Sequence, residues 1–101
     1  MDEAATRAEI KAALNAGLKA EVYPRADTAE QLQQIGDRLR GAFDLKQKLS
    51  IGGFTLKPVD HGGVEQACSS CTNFLVHKRF CERPELQLPV EPEWSCRLWR
   101  L

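Results

Sequence analysis

All four cysteines of the chain fall in its last third, as Cys68-x2-Cys71-x9-Cys81-x14-Cys96. A CxxC pair puts two thiolates on one turn whose backbone N–H groups can point at sulfur, and two more distant thiolates close a tetrahedron. The pattern therefore predicts one metal-binding site with Cys68, Cys71, Cys81 and Cys96 as its ligands. Apolar and aromatic residues stand close by: Phe74 and Leu75 follow the CxxC, Phe80 directly precedes Cys81, and Trp94 and Trp99 flank Cys96. They predict a dry shell of the kind that tunes a metal centre by excluding water. Ordinary packing of a small module uses the same residue types.

These ligands need elements to hold them, and the chain divides at about residue 50, where helical periodicity gives way to a half rich in Gly, Pro and Cys. Ile10, Leu14 and Leu18 join a run of alanines at helical spacing, which predicts a helix near residues 3–16 with Gly17 as its stop. Its face is mostly alanine and buries little area per residue. Thr28 and Gln31 have capping-box spacing, and Leu32, Ile35, Leu39 and Phe43 then form one apolar stripe, predicting a second helix that ends somewhere between residues 41 and 48. Residues 51–56 suggest a turn into a short strand ended by Pro58, and His61-Gly62-Gly63 a loop leading to the first cysteine. Between Cys81 and Cys96, three prolines favour an extended loop, and Leu86, Leu88 and Val90 alternate so that one edge turns inward. Such a loop is costly to order alone, and ligation by Cys81 and Cys96 supplies the tether. The expected fold is mainly α: an N-terminal helical hairpin over residues 1–50, then an irregular four-cysteine metal-binding module over residues 51–101.

The order CxxC, lone cysteine, lone cysteine, with an aromatic before the last and C-x2-[FYW] after it as Cys96-Arg97-Leu98-Trp99, resembles the high-potential iron–sulfur proteins. Small cluster-bearing subunits of some glycyl-radical enzymes are similar in the same way. The resemblance implies one 4Fe-4S cluster in an apolar pocket, held by Cys68, Cys71, Cys81 and Cys96. It covers about residues 66–101, and departs from the high-potential pattern in having Trp94-Ser95 where that family has Gly-Trp or Gly-Tyr.

Zinc is the alternative cofactor, since it too takes four thiolates. Structural zinc modules mostly use two close knuckles, whereas Cys81 and Cys96 are split by 14 intervening residues, which favours a larger core. A variant set of Cys68, Cys71, His77 and Cys81 approaches a zinc knuckle but leaves Cys96 unused; His77, beside Lys78 and Arg79, reads as a surface residue. Disulfides are the outcome expected in an oxidising compartment, metal ligation in a reducing one. Lys78, Arg79, Arg83, Arg97 and Arg100 surround the cysteines and would favour a reduced anionic centre, although mixed surface charge explains each of them singly.

The 14 basic and 14 acidic residues cancel, so no net field draws the chain to nucleic acid or anionic lipid. The acidic start Met1-Asp2-Glu3 lacks an export signal, and no run nears the ~18 apolar residues of a membrane span. Cytoplasmic residence, or a particle assembled in the cytoplasm, is expected. No phosphate loop, GxSxG elbow or HExxH occurs, so the chain is not expected to be an enzyme. The function expected is a structural or accessory iron–sulfur component whose N-terminal helices dock on a larger complex, such as an enzyme or a virion-type particle. The alternatives are a small soluble electron-transfer protein and a zinc-stabilised adaptor.

Overall fold

A computed structural model describes residues 2–101. Helix α1 runs over Glu3–Asn15, capped by the Asp2 carboxylate, which accepts from Ala4 N at 3.0 Å. Gly17, at φ +100°, turns the chain out of it. Helix α2 runs over Ala29–Arg40 and carries the full capping box: Thr28 Oγ1 accepts from Gln31 N, and the Gln31 side chain accepts from Thr28 N.

Two differences from expectation follow beyond Arg40. Gly41 ends α2, and Asp44 caps a separate helix α3, Leu45–Ile51, by accepting from Gln47 N at 2.9 Å. Phe43 therefore drops off the α2 stripe into the connecting turn, where it is 92 % exposed. Helix α3 packs against both α1 and α2, so the N-terminal half is a three-helix arrangement about α3, and the expected two-helix hairpin is replaced.

The mainly α expectation is overturned. Helices make up 35 % of the chain and two small antiparallel sheets 14 %. The second half, expected to be irregular, folds into short strands: β1 (Val59–His61) pairs with β2 (Val64–Gln66), and β3 (Phe74–Leu75), β4 (Phe80–Cys81) and β5 (Leu88–Pro89) form a sheet in that order. The β1–β2 connection is a two-residue Gly62-Gly63 turn with φ +61° and +79°, the paired positive φ that a tight hairpin requires. Strands of two or three residues are too short to leave a two-residue periodicity in sequence, which is why they read as loops. The strand expected before Pro58 is reduced to one bridge, Thr55 with Ser95.

One apolar cluster takes residues from both sides of position 50. Ile10, Ile35, Leu39 and Leu49 of the helices meet Phe54, Leu86, Leu88, Val90, Trp94 and Leu98. The alternating Leu86, Leu88 and Val90 turn inward, as their spacing implies, and β5 among them pairs with β4. No helix among the described residues is long and apolar enough to cross a membrane.

Gly53 is the tightest backbone position. Its φ is +64°, and a Cβ there would run into the Glu21 carbonyl and stand 3.0 Å from Arg97 Cγ. Substitution Gly53→Ala is expected to cost about 2 kcal/mol or more in denaturant unfolding, because the left-handed backbone and the collision add. An unfolding midpoint equal to that of the parent chain would contradict this packing.

Candidate metal centre

The CxxC is a 3-10 turn, Cys68–Ser70, closed by Cys71 N donating to Cys68 O at 3.0 Å. It is sewn to the C-terminal segment: Cys68 N donates to Trp94 O (2.6 Å), Ser69 N to Pro92 O (3.0 Å) and Thr72 N to Arg100 O (2.7 Å). Cys81 lies in β4, opposite Phe74 on one side and Leu88 on the other. Cys96 is fixed by its neighbours, as Ser95 pairs with Thr55 and Arg97 N donates to Gly52 O at 2.9 Å.

These three segments bring all four cysteines to one pocket, where Phe54, Phe74 and Trp99 complete the wall. Cys68, Cys81 and Cys96 are buried and Cys71 is half-buried; all four are free thiols, so the disulfide alternative has no pairing here. The unfilled space, open side included, is about 290 Å³. Sulfurs and aromatic rings make up its wall, which carries almost no polar surface. Among the described residues, no group of three or more His, Cys, Asp or Glu side chains stands in positions that could hold a metal ion.

Of the expected shell, Phe74 and Trp99 line the pocket. Trp99 Nε1 donates to Ala67 O (2.9 Å) and Ser70 Oγ (3.1 Å), which pins the indole to the CxxC turn. Leu75, Phe80 and Trp94 are not part of the wall, and Trp94 is buried in the shared core. Phe54 was missed by sequence reasoning because it reaches the site from the far side of the α3 turn, with no sequence proximity to any cysteine. His77 is exposed and outside the pocket, so the variant Cys68, Cys71, His77, Cys81 set is not assembled.

The surrounding charges also differ from expectation. Arg79 pairs with Glu91 at 3.0 Å and Arg83 with Glu85 at 3.3 Å, leaving Arg97 as the deeply buried member of the expected group. Arg97 Nε donates to Ile51 O at 2.8 Å, and its Nη2 stands 3.8 Å from Glu21. A second buried guanidinium, Arg25, comes from the connector before α2, and nothing local in the sequence marks it. It donates to Gln66 Oε1 (2.7 Å), Ser95 Oγ (3.2 Å) and the carbonyl of Cys96 (2.6 Å).

Burial dominates the thiol chemistry. It pushes Cys68 far up, Cys81 up to about 11 and Cys96 up to about 12, from an ordinary 9.0. Neighbouring thiols add to the rise, while the backbone N–H of Arg83 at Cys81 and of Leu98 at Cys96 pull the other way by favouring thiolate. Each of those N–H groups lies two residues past its cysteine in sequence. The donor set, four soft sulfurs in an apolar wall with amides aimed at two of them, fits an iron–sulfur core and also suits thiolate-bound zinc.

A folded-state pKa raised above the unfolded value means that the protonated thiols stabilise the fold fully below pH 9 and that this contribution is lost as pH rises towards 12. Denaturant unfolding of the metal-free chain is therefore expected to show stability falling between pH 9 and 12, less steeply in a Cys81→Ser, Cys96→Ser double variant. Equal slopes for the two chains would contradict the burial of these thiols. Comparisons with protein-family models, with curated proteins and with solved structures give no match for this chain, so the likeness to high-potential iron–sulfur proteins rests on the cysteine motif alone.

Proposed function

We propose that this chain is a small iron–sulfur protein in which Cys68, Cys71, Cys81 and Cys96 hold one 4Fe-4S cluster, and that it serves as a structural or accessory component of a larger protein assembly. The observation that carries the proposal is the convergence of four free cysteines, from three separate segments, on one apolar pocket. The wide split between Cys81 and Cys96, unlike the close knuckles of most structural zinc modules, supports a core of several atoms over zinc. The bound cluster would supply a covalent junction between the CxxC turn, β4 and the C-terminal segment, together with the capacity to take up or release an electron.

The structural role is favoured by where the ligands sit. Three are buried, and the segments they come from are the ones that carry the shared core into the second half of the chain. Docking is assigned to α1, whose Ala4, Ala5, Ala8 and Ala12 are exposed, because the Ile35 and Leu39 stripe of α2 is consumed by the protein's own core. Electron transfer is a second reading with one specific support, the half-buried Cys71 beside Trp99, which brings the edge of the site near solvent.

Metal and sulfide analysis of anaerobically purified protein tests the proposal. The expected result is a brown protein with about four irons and four sulfides per chain. Each single Cys→Ser variant at positions 68, 71, 81 and 96 is expected to lose most of the iron and to melt earlier than the parent. A colourless protein with one zinc per chain, or four variants that retain full iron, would overturn it. Reversible redox cycling without iron loss would move the assignment to electron transfer; collapse on oxidation or reduction supports the structural role.

A further inference from the structure

Arg25 is 2 % exposed, and its three shortest hydrogen bonds all go to uncharged acceptors: the Gln66 side-chain amide, the Ser95 hydroxyl and the Cys96 carbonyl. Among the described residues, no carboxylate forms an ion pair with it; the nearby Asp27 is paired with His61 at 2.8 Å. Arg97, equally buried, has Glu21 at 3.8 Å. Hydrogen bonds satisfy the donors of Arg25, and Asp27 acts on its charge only from beyond ion-pair contact; a buried charge without a contacting partner is expensive. The side chain cannot relieve that cost by giving up its proton, since guanidinium stays charged in proteins. A further anion close by would offset that cost, and the group that Arg25 holds by its backbone is Cys96, one wall of the four-cysteine pocket.

The geometry points to Arg25 as the buried counter-ion of the four-cysteine centre, the residue that sets the centre's reduction potential while fixing the Cys96 backbone. The inference rests on the iron–sulfur reading proposed above. A four-thiolate cluster is anionic and becomes more so on taking up one electron, so a fixed positive charge beside it favours the reduced form. Arg25 is a positioning residue and is not itself a ligand.

Gln66 offers a nearly isosteric test. Gln66→Glu places a carboxylate oxygen where an amide oxygen now accepts from Arg25 Nε at 2.7 Å, which gives the guanidinium its own partner. In the full chain reconstituted with iron and sulfide and titrated with dithionite as the one-electron donor, Gln66→Glu and Arg25→Gln are expected to shift the reduction equilibrium at least tenfold towards the oxidised form. That is about 59 mV lower for a one-electron couple. Arg25→Lys, which keeps the charge, is expected to stay within about threefold of the parent, a difference small beside that shift. Potentials of Gln66→Glu and Arg25→Gln both within threefold of the parent, whatever happens to the melting temperature, would overturn the inference and leave Arg25 a purely structural residue. If Gln66→Glu fails to load, iron retention by Arg25→Lys against Arg25→Gln decides: retention by the lysine variant alone supports a counter-ion, and equal loss in both overturns it. A parent chain that takes up no iron or sulfide is a different failure, that of the iron–sulfur reading itself.

Discussion

The C-terminal segment from Trp94 to Arg100 is the line to which the other parts of the fold are tied by backbone hydrogen bonds. Ser95 exchanges two bonds with Thr55, Arg97 N reaches Gly52 O, and Ala26 N reaches Arg97 O. Trp94 O and Arg100 O hold Cys68 and Thr72 on either side of the CxxC. A segment with almost no regular structure thus aligns the end of α3, the connector before α2 and the CxxC turn. Each of those bonds is worth only about 1 kcal/mol net. Their weight comes from geometry, since losing the line would release Cys68, Cys71 and Cys96 from a common frame together.

The same line explains why the pocket is so apolar. Phe54 enters from the α3 side because Gly53 turns the backbone through a left-handed conformation directly against Glu21 and Arg97. Trp99 enters from the opposite end and is anchored by its indole N–H to the turn that carries two of the cysteines. Burial raises the Cys81 and Cys96 pKa values, and backbone amides of Arg83 and Leu98 partly counter that rise by favouring thiolate.

What the sequence disclosed was local. The Thr28 and Gln31 capping box and the helical spacing over residues 3–16 with its stop at Gly17 are local signals, and α1 and α2 lie close to where they point. Helix α3 was hidden because Gly41 and Asp44 break and restart a helix inside one apolar pattern. The small sheets were hidden because their pairings are non-local and their strands too short to be periodic, although Gly62-Gly63 was a hairpin signal open to a stricter reading. At the candidate site, the cysteine spacing named the four residues that meet, but Phe54 and Arg25 arrive by tertiary contact alone. A buried arginine in a connector has no sequence signature, since its meaning depends on Gln66, Ser95 and Cys96, 41 to 71 residues away.

X-ray absorption at the metal edge of the anaerobically purified chain addresses the central claim most directly, because it reads the atoms around the sulfurs without relying on colour or activity. A multi-atom core predicts an iron edge with a sulfur first shell and a short iron–iron scattering path. A zinc edge with a lone shell of four sulfurs at about 2.3 Å and no metal–metal path would contradict it.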